Sequence, residues 1–294
     1  MIRSTLAPLW AMTLVFVAGV AQASVADARS SNQASTPIPP PASAATSPNE
    51  IVKVPGSVVD LELVPVSGKD GRPAFLVSRT EIPWDLYDVF VFQSDAEQGQ
   101  STPEADAVTR PSKPYISMDR GFGHAGFPAI SISYKGATQF CEWLSVKTGR
   151  RFRLPTVAEW QVIRDAAGIP ADRILDHARV AENSGGTTHR PGSLAADRLG
   201  LVDLLGNAAE WCATEDEKGS LMGGSYLDAA EVVAAGAPVP FSRSWNRSDP
   251  QFPKSVWWLA DGGFIGARVI CDLPANPATN APSNEAGDAG SRRD

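Results

Sequence analysis

Long stretches without helical periodicity constrain the fold of this chain more than any other feature of its sequence. From Gly168 to Leu273 no pattern of apolar residues supports a long helix, and Gly, Pro and Ser recur throughout. Within that region, short strands are predicted at "SLMGGSYL" and "GFIGARVIC". Irregular chain of this length is uncommon in a compact domain, and where it occurs it tends to carry function.

The clear helical signals lie before Gly168. A helix is predicted through "ATQFCEWLSVK", which places apolar residues on one face and is followed by Gly149 as a stop. A second helix is predicted from Thr156, which forms a capping box with Glu159, to Gly168. Pro83 opens a third apolar stretch, "PWDLYDVFVF", in which Pro suits the first helical turn.

Two strands are predicted upstream of these helices. The run "VVDLELVPV" alternates apolar and acidic residues, which is the period of a half-buried strand, and "PAFLVS" is a second short apolar run. The segment 93–110 is polar and is predicted to be a loop. The sequence therefore predicts an α+β domain with two or three helices, short strands and much irregular loop.

The ends of the chain differ in composition from its middle. Residues 1–23 are predicted to be a signal peptide, because Arg3 precedes a short apolar run and "AQAS" offers an Ala-x-Ala cleavage site. The alternative is a membrane anchor, for which the apolar run is short. A Pro/Ser/Ala-rich spacer is predicted over 24–50, a folded domain over 51–273, and a disordered tail over 274–294.

The charge balance limits the class of partner. The formal net charge is -7 and no Lys/Arg cluster is present, so a nucleic-acid partner is not expected. Cleavage of the signal would leave no stable membrane span, and the mature protein is predicted to be exported, either periplasmic or secreted.

The stretch "GLVDLLGNAAEWC" suggests a cation site. Asp203 and Glu210 flank a Gly-Asn corner, and two carboxylates with the carbonyls of a tight turn form an oxygen cage of the kind that suits Ca²⁺. In the alternative interpretation, Asp203 caps a turn and Glu210 pairs with an arginine such as Arg268.

Four motifs together resemble a known family. The segments "PAISISYKGATQFCEWLSVKTGRRFRLPTVAEWQVIRDAAG", "RPGSLAADRLGLVDLLGNAAEWC", "LMGGSY" and "GFIGARVI" occur in the order and spacing of the sulfatase-modifying-factor domain, the family of formylglycine-generating enzymes. The resemblance covers Ile51 to Cys271. It implies a C-type lectin-like fold with much irregular chain, which agrees with the α+β prediction.

The resemblance also implies a set of calcium ligands. The family pattern falls on Asp203 and Glu210 as carboxylates and on Gly206 and Ala208 as carbonyls, with Asn207 shaping the turn. The family's second calcium site would need an acidic loop within residues 183–194, where no carboxylate is present. The prediction is therefore one structural calcium site.

The catalytic part of the resemblance is missing. Enzymes of this family hold copper(I) with two thiols between the "GGSY" strand and the closing strand, and this interval contains no cysteine here. Copper is therefore not expected, and no catalytic residue is assigned. The three histidines are isolated from one another and lack metal-ligand spacing.

Aromatic and polar residues fill the interval where those thiols would lie. Exposed tryptophans, arginine and carboxylates suit stacking on a peptide, protein or glycan ligand. The predicted ligand-binding residues are Trp245, Arg247, Asp249, Trp258 and Asp261, with Asn246 and Trp257 beside them. In the alternative interpretation, the tryptophans are core residues that hold a long loop in place, and adjacent Trp257 and Trp258 cannot usually both face inward.

Two hypotheses for the function follow. In the first, the chain is an exported domain of this family that lacks the copper thiols and acts as a binding or accessory module. In the second, it is an oxidoreductase of the family that uses non-thiol chemistry on a peptide or small molecule.

The resemblance also implies a disulfide between Cys141 and Cys271, with Cys212 left over.

Overall fold

The computed structural model describes residues 48–68 and 73–274. The predictions for the signal peptide, most of the spacer and nearly all of the tail lie outside these residues. Within the described part, no helix combines the length and the hydrophobicity needed to cross a bilayer.

The described residues form an α+β fold, as predicted, with two sheets and seven α-helices. The helices that exceed eight residues are α1 (Trp84–Phe92), α4 (Tyr134–Thr148) and α5 (Val157–Ala167). The remaining helices are short and comprise α2 (Ser94–Glu97), α3 (Pro103–Ala107), α6 (Ile174–His177) and α7 (Ala230–Ala235). Two of these, α2 and α3, fall in the segment predicted as loop, where Thr102 accepts a capping bond from Ala105.

The first sheet has five strands in the order β1-β2-β3-β9-β4, all paired antiparallel. Its strands are β1 (Glu50–Val52), β2 (Leu61–Ser67), β3 (Pro73–Ser78), β4 (Phe152–Arg153) and β9 (Ile270–Asp272). β1 begins one residue before the predicted start of the folded domain. The closing strand β9 lies between β3 and β4, so the end of the domain pairs with its beginning.

The second sheet has four short strands in the order β7-β6-β5-β8. They are β5 (Ala209–Cys212), β6 (Ser220–Met222), β7 (Val239–Pro240) and β8 (Ile265–Gly266). β8 runs parallel to β5, whereas the other pairs are antiparallel. The motif "GFIGARVIC" thus gives two strands, β8 and β9, one in each sheet.

Hydrophobic clusters cover both faces of the first sheet, because alternate residues of a strand point to opposite sides. Leu63 and Leu76 face the cluster that contains α1 and α4. Val77 faces the cluster that contains Trp160 and Ile163 of α5. Side chains of the irregular segments complete both clusters, including Val180 and Leu204 beside α5, so the long loops are part of the core.

Helix ends follow the sequence signals. Thr156 and Glu159 form the predicted capping box, and Gly168 ends α5 in the left-handed conformation at φ 59°. Gly149 ends α4 in the same way at φ 67°. These two helices pack on opposite sides of the first sheet, and each also contacts β5, through Tyr134 against Trp211 and Trp160 against Glu210.

Candidate functional site

The Gly-Asn corner before β5 is a tight turn that is held by backbone hydrogen bonds to two other segments of the chain. Gly206 and Asn207 both have positive φ, at 74° and 51°. A Cβ on Gly206 would lie 2.2 Å from the carbonyl oxygen of Arg179, so only glycine fits there. The backbone N–H of Asn207 donates to that same carbonyl at 2.7 Å, and the N–H of Gly206 donates to Gly223 at 3.0 Å.

Glu81 also holds this corner, and the sequence did not predict that contact. Its side chain is fully buried and accepts the Ala208 N–H at 2.9 Å and the Asn207 Nδ2 group at 3.0 Å. Burial, and after it the charge of Asp203, holds the pKa of Glu81 well above its usual range. Glu81 precedes the corner by more than a hundred residues, and no local pattern marks it as a partner of Asn207.

Glu210 is bound on both carboxylate oxygens. Oε1 accepts from Nε of Arg268 at 2.7 Å, and Oε2 accepts from the indole N–H of Trp160 at 2.8 Å. The ion pair is excluded from solvent, with side-chain exposures of 0% for Arg268 and 1% for Glu210. Burial raises the pKa of Glu210, while the attraction of Arg268 opposes that shift.

The guanidinium of Arg268 is fully satisfied. Its Nη1 donates to the carbonyls of Ser78 and Arg79, both at 2.8 Å, and its Nη2 donates to Val202 at 3.0 Å and Asp203 at 3.1 Å. With the bond to Glu210, all five N–H donors of the group have acceptors. One internal cation therefore joins the first sheet to the loop that carries the predicted metal ligands.

Arg268 competes with the predicted calcium ion for Glu210. An ion on Glu210 would have to share a buried carboxylate whose two oxygens already accept from Arg268 and Trp160. Asp203 gives Oδ2 to the Gly192 N–H at 2.8 Å, and its buried Oδ1 has no partner among the described residues. The prediction of Ca²⁺ ligands at Asp203, Gly206, Ala208 and Glu210 therefore meets a physical obstacle at Glu210, because an arginine already supplies the positive charge.

Two of the predicted ligand-binding residues are core residues. Trp245 is 8% exposed and packs edge-on against Trp211 with ring centroids 5.7 Å apart. Trp258 is 3% exposed, stacks on Trp84 and donates its indole N–H to the Ser112 carbonyl at 3.0 Å. Neither ring offers a face to a ligand in this structure. Their role is to hold the loop 241–261 onto the core.

The predicted carboxylates of this loop stabilise its turns. Asp249 is buried and accepts the backbone N–H groups of Gln251 at 3.0 Å and Ser255 at 2.7 Å. Asp261 is exposed and accepts both the N–H and the hydroxyl of Ser248, at 2.7 and 2.6 Å. Arg247 is exposed and remains accessible to a partner.

A surface cavity lies where this loop meets the start of α4. Its volume is about 360 Å³. The ammonium group of Lys135 sits 4.5 Å from the ring centroid of Trp257 beside it, which is cation–π distance. The cavity lining combines apolar and charged side chains, and it includes Tyr134, Lys135, Lys218, Phe241, Val256 and Leu259.

The three cysteines are free and buried, so the predicted disulfide between Cys141 and Cys271 is not formed. Burial raises the pKa of Cys141 to about 12 and also raises the pKa values of Cys212 and Cys271. The thiolate is the form that binds metals, and these environments disfavour it. Across residues 48–68 and 73–274, no group of three or more His, Cys, Asp or Glu residues is arranged to hold a metal ion.

Comparisons with known proteins agree with the motif order. Residues 40–273 match a family described as "Sulfatase-modifying factor enzyme 1-like domain". A serine/threonine-protein kinase pkn1 of Chlamydia caviae is 32% identical over 95 residues, which is 31% of this chain and 14% of the kinase. The pkn1 kinase of Chlamydia pneumoniae is 30% identical over 94 residues, with the same shares. The match thus spans about a seventh of the length of these relatives.

Among solved structures, Treponema denticola variable protein 1 is similar with a TM-score of 0.51 and 18% identity, covering 78% of this chain and 100% of that one. This likeness shows the fold. PvdO from Pseudomonas aeruginosa matches with a TM-score of 0.48 and 19% identity over 78% of this chain and 100% of its own.

Proposed function

The chain belongs to the sulfatase-modifying factor enzyme 1-like family, and from this premise we propose that it is a binding or accessory module rather than an oxidoreductase. The observation that carries the proposal is the placement of its thiols. No cysteine occurs between Cys212 and Cys271, and the three thiols present are buried, which raises their pKa values and disfavours the thiolate. Copper(I) chemistry needs accessible thiolates, which these positions do not supply.

The surface at loop 241–261 supports a binding role. Phe241 is 39% exposed and Val256 is 55% exposed, and both line the cavity of about 360 Å³. Lys135 and Arg247 supply charge nearby, so the surface combines apolar contact with hydrogen-bond donors. The ligand class that suits it is a peptide, a protein segment or a glycan.

The pkn1 relatives give a second, weaker line of support. Their similarity to this chain is confined to 14% of their length, so in those proteins the matching segment accompanies other sequence. The matching segment is thus combined with further sequence in those proteins, which supports an accessory module.

The proposal includes export. Cleavage after Ala23 would release a mature chain that begins at Ser24, with the Pro-rich spacer ahead of the folded domain. N-terminal sequencing of the protein from the medium or the periplasm is expected to read Ser24 first. Recovery of a chain that retains Met1 would contradict export through this signal.

Activity is tested on the protein loaded with copper(I) and supplied with a cysteine-containing peptide under air. We expect neither O₂ consumption nor loss of peptide thiol above a protein-free control. Turnover of the peptide would overturn the accessory role and favour the oxidoreductase hypothesis.

Binding is tested with immobilised peptide and glycan arrays as probes. We expect that the probes bound by the wild-type protein are no longer bound by Arg247→Ala or Trp257→Ala. Arg173→Ala should still bind them, because Arg173 is exposed and lies in an ion pair beside α6. Equal retention by all three variants would place the binding surface elsewhere, and absence of any retained probe would count against a peptide or glycan ligand.

A further inference from the structure

Residues 117–127 form an irregular segment that side-chain contacts hold in place. The segment contains neither helix nor strand. Arg120 has a positive φ of 59°, which is an uncommon conformation for a residue with a side chain. A backbone of this kind persists only where surrounding contacts fix it.

His124 supplies a central contact of this segment. Its Nδ1 lies 2.9 Å from a carboxylate oxygen of Asp119, in the same segment, and its Nε2 lies 2.7 Å from a carboxylate oxygen of Asp88 on α1. The ring also stacks on Trp84, with centroids 4.9 Å apart and planes 14° from parallel. A neutral imidazole has one N–H, so only the imidazolium can donate to both carboxylates at once.

Arg120 links the same segment to the loop at the candidate cavity. Its Nη2 donates to the carbonyls of Leu259 at 3.0 Å and Ala260 at 2.7 Å, and its Nε donates to the Ser131 hydroxyl at 3.1 Å. Leu259 lines the cavity. The Arg120 guanidinium therefore couples the position of the segment to the wall of the cavity at loop 241–261.

We propose that His124 is a protonation-dependent clasp that holds residues 117–127 against α1 and, through Arg120, holds the turn at Leu259 and Ala260. The imidazolium closes the clasp by bonding Asp88 and Asp119. Loss of its proton removes one of the two bonds and both charge attractions, which releases the segment. The inference concerns regulation of the fold and does not depend on the proposed binding role.

The charges around His124 set the pH range of the clasp. Asp88 bonds the ring from α1, and Asp85 of the same helix raises the pKa of Asp88 and accepts the Gly126 N–H. Asp119 and Arg120 belong to the segment of His124, and Arg190 packs over Phe127 at its end. Burial of the ring lowers the pKa of His124, but the bonds to Asp88 and Asp119 outweigh that effect and raise it above its usual value. Burial likewise raises the pKa of Asp88.

The sign of the pH dependence follows from these shifts. Because the folded pKa of His124 is raised, the clasp contributes its full stability below about 6.5 and loses it as the pH rises through the folded value. At the acidic end, protonation of Asp88 removes one carboxylate from the clasp. The clasp is therefore closed between the pKa of Asp88 and that of His124.

The first test follows the imidazole Cε1–H signals of the purified protein by NMR as the pH is varied. The chain has 3 histidines, and the His124 signal is identified by its absence in His124→Gln. We expect its midpoint to lie above 6.5 and to fall by about one pH unit in Asp88→Asn. The matched control Asp176→Asn removes a carboxylate from an exposed pair and should leave the midpoint unchanged. A midpoint at or below 6.5, or one indifferent to Asp88→Asn, would overturn the clasp.

The second test measures release of the segment by trypsin. Cleavage after Arg120 is compared with cleavage after Lys218, whose side chain is 67% exposed, so that the pH response of the protease cancels. In the wild type, the ratio of the cleavage rate after Arg120 to that after Lys218 is expected to rise several-fold as the pH passes the His124 midpoint. In His124→Gln it should be high at every pH. A low, flat ratio in the wild type, or a rise that persists in His124→Gln, would refute the coupling.

Discussion

Arg268 and Glu210 form an ion pair with 2.7 Å between Nε and Oε1, and neither side chain is exposed by more than 1%. The pair joins two parts of the fold that are distant in sequence. Glu210 lies on β5 of the second sheet, whereas Arg268 lies between β8 and β9 and donates to the carbonyl of Ser78 at the end of β3. The two sheets are therefore connected by a desolvated charge pair as well as by hydrophobic packing.

Removing one partner of this pair should be strongly destabilising. Arg268→Met leaves Glu210 buried with only the Trp160 bond and no counter-charge, and breaking a buried pair in this way costs about 3–5 kcal/mol. The control is Arg173→Met, which breaks an exposed pair with Asp176 and should cost under about 1 kcal/mol. Urea unfolding of both variants measures the difference. Similar midpoints would show that the pair contributes little.

Stability should be independent of calcium. Both oxygens of Glu210 already accept hydrogen bonds, and the buried Arg268 already supplies the positive charge beside them, so neither chelator nor added Ca²⁺ is expected to move the melting temperature. An ion that binds only the folded state at about a hundred times its dissociation constant would add roughly 2.7 kcal/mol. A melting temperature that falls by several degrees in chelator, and no longer does so in Asp203→Ala, would instead restore the predicted calcium site.

The sequence predicts the local elements of this fold well because their signals are local. The capping box at Thr156 and the glycine that ends α5 are read within a few residues, and both are found in the structure. The motif "GFIGARVIC" indicates strand, yet the division into β8 and β9 depends on which sheet each half joins. Pairing of that kind is a tertiary property that the pattern does not contain.

The candidate site is harder to predict because its decisive partners are remote in sequence. The pattern around Glu210 is compatible with calcium and with Arg268 alike, and only the tertiary fold shows Arg268 on the carboxylate. Glu81 carries no signal of its role at Asn207. Trp245 and Trp258 have the composition of a ligand surface, but packing against the core decides their orientation.

Glu81 should make the protein less stable as the pH rises above the ordinary range of a glutamic acid. Its folded pKa is raised, so the folded state holds a proton that the unfolded state releases above about 4.3. The loss continues until the pH passes the folded pKa. Glu81→Gln cannot ionise and should reduce the fall in unfolding free energy between pH 5 and pH 8.

The quantity compared is the difference in unfolding free energy between the wild type and Glu81→Gln at each pH. The contribution of His124 to stability also falls with rising pH, and this contribution cancels in the difference because His124 is present in both proteins. The acids with lowered pKa values, such as Asp95 and Glu159 at about 2, change their contribution only below this range. Parallel profiles from pH 5 to pH 8 would mean that Glu81 is ionised in the folded protein.

Gly206 and Gly200 give a matched pair of substitutions at the corner. Both have positive φ, at 74° and 85°, but a Cβ on Gly200 meets nothing within 4 Å. Gly200→Ala should therefore cost only the conformational strain, which is about 1–2 kcal/mol.

In Gly206→Ala the same strain is joined by a clash, because the added Cβ lies 2.2 Å from the Arg179 carbonyl that also accepts the Asn207 N–H. The turn must move, which breaks the Asn207 and Ala208 contacts to Glu81 as well. We expect Gly206→Ala to lower the free energy of unfolding by at least about 2 kcal/mol more than Gly200→Ala, measured by urea titration. Equal losses would show that the corner can open away from Arg179 without disturbing the buried network.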